Sequence, residues 1–289
     1  MEQASGGENP LVFFVTDLHG RISRYTLLEE QIIREKPGLL LFGGDLLPHF
    51  RGPDNPEMFV GGFLTSMFLR LKHRLKKDYP RVMMILGNDD PACVVPDILK
   101  GEETGLWTYM HGRTIKLAGY SFYGYSFIPP TPFLFKDWEK YDVSRYTDPG
   151  CIPPDCGKRS IVPDYDPAWA NMAEDLNTWP GDADLSRSVF LFHSPPYRTG
   201  LDRAALDGQT VDHVPLDVHI GSIAVYRFIM NRQPFLTLHG HVHESTRLTG
   251  TWMEKLGRTV AIQGAGDTDK LVLIRFYLEY PEQAVRLEL

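Results

Sequence analysis

The chain of 289 residues is 43% hydrophobic and 23% charged, far from compositions that stay disordered, and is long enough for one large domain or two small ones. Its net charge of -7 argues against a broad nucleic-acid-binding face, whose affinity would come from Lys and Arg neutralising phosphates. Cys93, Cys151 and Cys156 are an odd set that argues against a disulfide framework, and no run approaches the roughly 18 apolar residues of a membrane helix. The polar, Gly-rich first ten residues do not read as a signal peptide, so residues 1–10 are expected to be a flexible N-terminus on a cytoplasmic protein.

In chain order, short apolar runs each stop abruptly at Gly, Asp, Asn or His. Leu11 to Val15 leads into Thr16-Asp17-Leu18-His19-Gly20, Leu39 to Phe42 into Gly43-Gly44-Asp45, and Val82 to Leu86 into Gly87-Asn88-Asp89-Asp90. Between them, Tyr25 to Glu35 and Phe59 to Lys77 have helical spacing, and Met58, Phe59, Phe63, Met67, Phe68 and Leu71 are expected to form a buried stripe. Alternating strand and helix predicts a largely parallel sheet, with the polar residues gathered beyond the strands' carboxyl ends.

Thr114 to Phe127 reads as strand or hairpin, and Pro129 to Pro180 as an insertion rich in Pro, Asp, Tyr and Trp. That 129–180 stretch is either a lid over the site or a surface-covering excursion, helical in part over Pro167 to Asn177. The logic then repeats, with Val189 to Phe192 before His193-Ser194-Pro195-Pro196 and Phe235 to Leu238 before His239-Gly240-His241-Val242-His243. Ser222 is positioned to cap a helix from Ile223 to Met230, and late strands at Thr259 to Ile262 and Leu271 to Leu278 make a second sheet a reasonable expectation.

Asp, Asn and His at strand ends are the donors that suit zinc, manganese and iron. Seven of them, Asp17, His19, Asp45, Asn88, His193, His241 and His243, exceed the four that one structural zinc takes, and no Cys is among them. Two ions sharing a carboxylate would use the whole set, and such pairs commonly hydrolyse phosphate esters.

These ordered blocks resemble the calcineurin-like metallophosphoesterase superfamily. The resemblance implies an α/β (α+β mixed) four-layer αββα sandwich, two facing mixed sheets flanked by helices, formed by residues 1–289 as a single domain. It implies two divalent cations, manganese, iron or zinc with magnesium possible, one held by Asp17, His19 and His243, the other by Asn88, His193 and His241, with Asp45 between them. Asp17, Asp45 and Asn88 would then act through a metal-bound hydroxide on a small phosphate monoester or diester. Two cations less two carboxylates and one hydroxide leave about one positive charge for an anionic substrate, and Asn88 ligates without cancelling more.

Asp89 departs from the pattern, since many relatives carry His after the equivalent of Asn88, where it is thought to protonate the leaving group or steady the phosphate. An ionised Asp89 facing substrate would repel it, so this side chain must be protonated, turned away or engaged elsewhere. Phosphodiesters or aryl esters, which need less leaving-group protonation, are the expected preference. Arg198, His213 and His219 are further candidates for substrate contact, each more readily read as a solvated loop residue. His49, His73, His111 and His239 are read as surface or structural. The alternatives are a nuclease acting on short oligonucleotides and a non-catalytic scaffold of the same fold.

Overall fold

The computed structural model describes residues 9–49 and 55–289. Residues 1–8 of the segment expected to be flexible lie outside the described residues. The strands are β1 (Leu11–Val15), β2 (Leu39–Gly43), β3 (Arg81–Ile85), β4 (Thr108–Tyr109), β5 (Thr114–Leu117), β6 (Tyr120–Tyr125), β7 (Ser188–Phe192), β8 (Thr210–Val211), β9 (Val214–Pro215), β10 (Leu236–His239), β11 (Met253–Leu256), β12 (Thr259–Gln263), β13 (Val272–Tyr277) and β14 (Val285–Glu288).

They form two six-stranded mixed sheets, in the orders β14-β13-β1-β2-β3-β4 and β11-β12-β10-β7-β6-β5, and a small β8-β9 hairpin. In the first, β1, β2, β3 and β4 run parallel, β13 pairs antiparallel with β1, and β14 antiparallel with β13. In the second, β12, β10, β7 and β6 run parallel, with antiparallel β11 and β5 at the edges.

The central strands are apolar throughout because both of their faces are buried. Val12, Phe14, Leu39, Leu41, Met83 and Ile85 face Phe122, Val189, Leu191, Leu238 and Ile262 across the inter-sheet core. Their alternate neighbours, Phe13, Val15, Leu40, Phe42 and Met84, pack outward with Tyr25, Leu28 and Ile32 of the helix Ile22–Glu35 and Met67, Phe68 and Leu71 of the helix Thr65–Leu75. On the far side, Phe190 and Phe192 meet Val225, Phe228 and Ile229 of the helix Ile223–Arg232 and Met172 and Leu176 of the helix Met172–Thr178. The layers are therefore helix, sheet, sheet, helix, the expected αββα sandwich.

Ser222 caps its helix by accepting from the Val225 amide at 3.0 Å. The expected Phe59 to Lys77 helix is instead a composite. A short turn, Pro56–Met58, capped by Asn55, opens into a π-helical Phe59–Leu64 before the α-helix proper. Within it Thr65 Oγ1 donates five residues back to the Val60 carbonyl at 2.8 Å. The expected buried stripe is corrected at two positions: Met58 is 75% exposed and Phe63 half-buried, whereas Phe59, Met67, Phe68 and Leu71 are buried. Among the described residues no helix is long and apolar enough to cross a membrane, and Cys93, Cys151 and Cys156 are unpaired.

Candidate metal centre

β1, β2, β3, β7 and β10 each deliver one polar loop to the same edge of the sandwich, and backbone hydrogen bonds that continue the sheets tie the β1 loop to the β2 loop and the β10 loop to the β7 loop. Asp17, His19 and Gly20 donate to the carbonyls of Gly44, Asp45 and Leu46, each at 2.9 Å, and Gly240 donates to the His193 carbonyl at 3.0 Å. Asp17, His19, Asp45 and His241 all hold positive φ, between 49° and 73°. Such a conformation costs a non-glycine residue about 1–3 kcal/mol and persists only where the surroundings over-determine it. Here it is offset by the inter-sheet core, where each fully buried Leu or Phe contributes about 1.5–3 kcal/mol.

Two glycines serve by leaving room. A Cβ on Gly87 would lie 2.3 Å from Asp45 Oδ1, and one on Gly240 2.5 Å from Asp17 Oδ2. The positive φ that glycine allows is found at Gly44, with φ 100°. Asp90, fully buried, accepts from Gly87, Leu46 and Leu47 amides at 2.8 to 3.1 Å and so pins the Asn88 loop to the Asp45 loop. Arg24 donates to the Asp17 carbonyl at 2.6 Å from the helix behind it.

The seven sequence-predicted donors converge. Asp17, His19 and His243 bring ligand atoms together, with His243 Nε2 3.1 Å from both Asp17 Oδ1 and His19 Nε2. Asp17, Asp45 and His193 form a second, overlapping group. His193 Nε2 lies 3.1 Å from Asn88 Oδ1 and 3.3 Å from Asp45 Oδ2. Beside it, the His241 ring stands 5.4 Å from the His193 ring, and the His241 amide donates to the Asp17 carboxylate at 3.1 Å.

The electrostatics say what this edge of the protein wants. His193 Nδ1–H donates to the Gly43 carbonyl at 2.8 Å, so Nε2 is left facing oxygens. Burial alone would lower this imidazole, but the charge and hydrogen bond of Asp45 and the charge of Asp17 outweigh it and push it up to about 10. The surrounding oxygens thus demand a positive charge at that point, which a cation meets as well as a proton. Burial likewise opposes ionisation of Asp17 and Asp45, yet His243 and His193 hold both carboxyls below the usual range. Burial, reinforced by the charge of His193, pushes His241 down to about 3, which keeps its nitrogen lone pair free to ligate. The donor set fits divalent cations.

Asp89 is engaged on two sides. Its Oδ2 is 3.4 Å from His19 Nδ1 and 3.4 Å from His49 Nε2, while its amide donates to Asp45 Oδ1 at 2.8 Å. Burial and the neighbouring Asp45 push its carboxyl up to about 6. His49, read from sequence as a surface histidine, therefore belongs to the mouth of the centre, where its ring lies 5.9 Å from His19 and nearly parallel to it. The signal was available in its place four residues after Asp45, in the same strand-end loop.

The remaining candidates stand apart. Arg198 is exposed with its guanidinium over the Tyr197 ring, and His213 sits at positive φ in the turn of the β8-β9 hairpin. His219 Nδ1 pairs with buried Asp202 at 2.8 Å. Among the described residues no hydrogen bond, ion pair or ring contact links these three to the seven donors.

The sequence profile described as Calcineurin-like phosphoesterase matches residues 10–245. The chain belongs to that family. No curated protein matches it. Among solved structures, the protein TT1561 of Thermus thermophilus is 13% identical over 97% of this chain and 99% of its own, with a TM-score of 0.57. A second crystal structure is 14% identical over 96% and 99% of the two chains, with a TM-score of 0.56. At these identities the likeness is one of fold.

Proposed function

We propose that this metallophosphoesterase hydrolyses small phosphate esters with two divalent cations, one held by Asp17, His19 and His243, the other by Asn88, His193 and His241, with Asp45 shared. The observation that carries this reading is the convergence of oxygen and nitrogen lone pairs, above all His19 Nε2 facing His243 Nε2 at 3.1 Å, and His193 Nε2 facing Asp45 and Asn88. Bound there, manganese, iron or zinc, with magnesium a further possibility, would supply Lewis acidity toward a phosphoryl group and an activated water.

The chain's own residues set the conditions. The Gly43 carbonyl fixes the tautomer of His193, and the Asp89 amide fixes one oxygen of Asp45. Only Asp17 and Asp45 bring negative charge to the ligand set, and Asn88 brings none, so a net positive charge is left for an anionic ester. A carboxylate beside the centre, Asp89, opposes a dianionic monoester more than a monoanionic diester, which favours phosphodiesters, aryl diesters among them. The overall charge of -7 disfavours a long polyanion as substrate, and the unpaired cysteines fit a reducing cytoplasm. The 129–180 insertion acts in this reading as a brace: Trp138 Nε1 donates to the Asp90 carbonyl at 2.8 Å and Asp137 accepts from the Ala92 amide at 2.6 Å, both just beyond Asn88.

The test is an activity screen on purified protein loaded with manganese, zinc, iron and magnesium in turn, using bis-p-nitrophenyl phosphate and p-nitrophenyl phosphate. Turnover with bound metal, faster on the diester, is expected. Bound metal without turnover of either ester would favour the scaffold instead.

A further inference from the structure

We propose that His49 is a substrate-contacting residue of this centre, its imidazole presented to the phosphate ester by Asp89. The inference rests on the phosphoesterase reading above and adds to it a residue outside the ligand set.

Asp89 Oδ2 stands equally far, 3.4 Å, from an inner and an outer imidazole nitrogen. The inner one is His19 Nδ1, a buried atom without a well-formed hydrogen bond to protein. Since His19 Nε2 is turned to His243 Nε2, Nδ1 of His19 is the nitrogen left to carry hydrogen, and Asp89 is the carboxylate beside it. A ligating imidazole held by a carboxylate through its other nitrogen is the usual way in which a metal site fixes ring orientation. The outer imidazole is His49, whose side chain is 69% exposed against 23% for Asp89. Exposure alone would leave such a ring free to rotate. Two contacts restrain it: Nε2 against Asp89 and a near-parallel stack on the His19 ring at 5.9 Å and 20°.

The consequence is chemical. Asp89 on its own would place a bare carboxylate where an anion must arrive. With Nε2 of His49 set against Asp89, the ring stands between that carboxylate and an arriving anion, and a hydrogen on its other nitrogen would donate to a phosphoryl oxygen or the leaving-group oxygen. His49 is therefore the contact residue and Asp89 its positioning residue, which at the same time orients His19.

The experiment compares manganese-loaded wild type with His49→Ala, His49→Gln, Asp89→Asn and the His49→Ala/Asp89→Asn double variant. Metal content, inorganic phosphate affinity by calorimetry, and kcat and KM for bis-p-nitrophenyl phosphate are measured. Loss of one hydrogen bond to a charged ligand predicts phosphate binding weakened about 10-fold or more in His49→Ala, with metal stoichiometry unchanged. His49→Gln, which keeps a donor, recovers part of the loss. The double variant falls no further than about the weaker single, because the two act as a unit. Phosphate affinity and kcat/KM within twofold of wild type in His49→Ala would overturn the proposal, as would losses that multiply in the double variant. A third equivalent of metal that vanishes with His49 would also overturn it, by making His49 a ligand. Wild type that binds metal and phosphate without turnover fails the hydrolase reading alone, since the phosphate titration still reads His49.

Discussion

The strand-end loops and the 129–180 insertion are both irregular backbone, yet they are held in opposite ways. The loops at Asp17, Asp45, Asn88, His193 and His241 are short, and their main chains are fixed by strands entering from below and by amide-to-carbonyl bonds from loop to loop. The insertion has one short helix, Met172–Thr178, and is secured by side chains. Lys136 and Glu139 pair inside it fully buried, with Thr131 donating to both carboxylate oxygens. Asp142 reaches out to take the Ile223 and Ala224 amides and the Ser222 hydroxyl at the start of the helix behind β7. In the first region, the backbone bonds carry much of the structural duty, with Asp90 adding to them, and the remaining polar side chains bring their donors together. In the second, polar side chains are consumed in building the fold.

The comparison breaks most readily at Asp45. If its carboxylate serves both cations, Asp45→Ala should strip both ions and reduce activity by more than about 100-fold, while Asn88→Ala should chiefly weaken one. The fold should survive, because the loop backbone is held by its neighbours. Metal analysis after desalting, alongside thermal unfolding, reads this; both ions retained by Asp45→Ala would remove the shared role.

A change in the insertion should do the reverse. Lys136→Met leaves Glu139 buried and uncompensated, for which about 3–5 kcal/mol of lost stability is expected, whereas Lys136→Met with Glu139→Leu should recover most of it. Denaturant unfolding distinguishes the two variants, and equal losses in both would mean that the pair is not what holds the segment.

A smaller effect comes from His111, whose Nδ1 accepts from the Ser126 amide at 3.1 Å among Phe127 and Trp138. Burial, with the Lys140 charge adding to it, pushes this imidazole down to about 3. Between about pH 6.5 and 3 the unfolded chain binds a proton there that the folded chain does not, so stability falls as pH falls through that window, by roughly 2 kcal/mol at pH 5. His111→Asn, which keeps an acceptor, should flatten the slope by about one proton; an unchanged slope in unfolding curves between pH 4 and 6.5 would exclude His111 as its source.

What the sequence makes legible follows the same division. Asp17, His19, Asp45, Asn88, His193, His241 and His243 could be read because each follows an apolar run that is buried on both faces, and a parallel sheet collects strand ends by construction. Ser222 was legible because a cap is local. Met58 was misassigned because the helix is composite, and its π-helical Phe59–Leu64 changes the phase. His49 escaped notice because its meaning depends on Asp89, which arrives from another strand. Asp142 and Trp138 could not be read for the same reason, since their partners at Ile223 and Asp90 are joined to them only by the fold.

The smallest predicted effect asks whether the two regions are separate at all. Trp138 Nε1 donates to the Asp90 carbonyl at 2.8 Å, and the Asp90 side chain in turn gathers the Gly87, Leu46 and Leu47 amides. The insertion therefore touches the framework of two ligand loops through the Trp138 indole, with Asp137 holding the Ala92 amide just beyond. Trp138→Phe removes that hydrogen bond while keeping the aromatic packing, at a cost of about 1 kcal/mol. If the brace bears on the Asn88 loop, that loss should surface as metal affinity weakened about fivefold at the cation proposed for Asn88, His193 and His241. Metal titration of the variant decides the matter: an unchanged affinity with lowered thermal stability would make the insertion a cover, and the two regions neighbours that share a surface without sharing work.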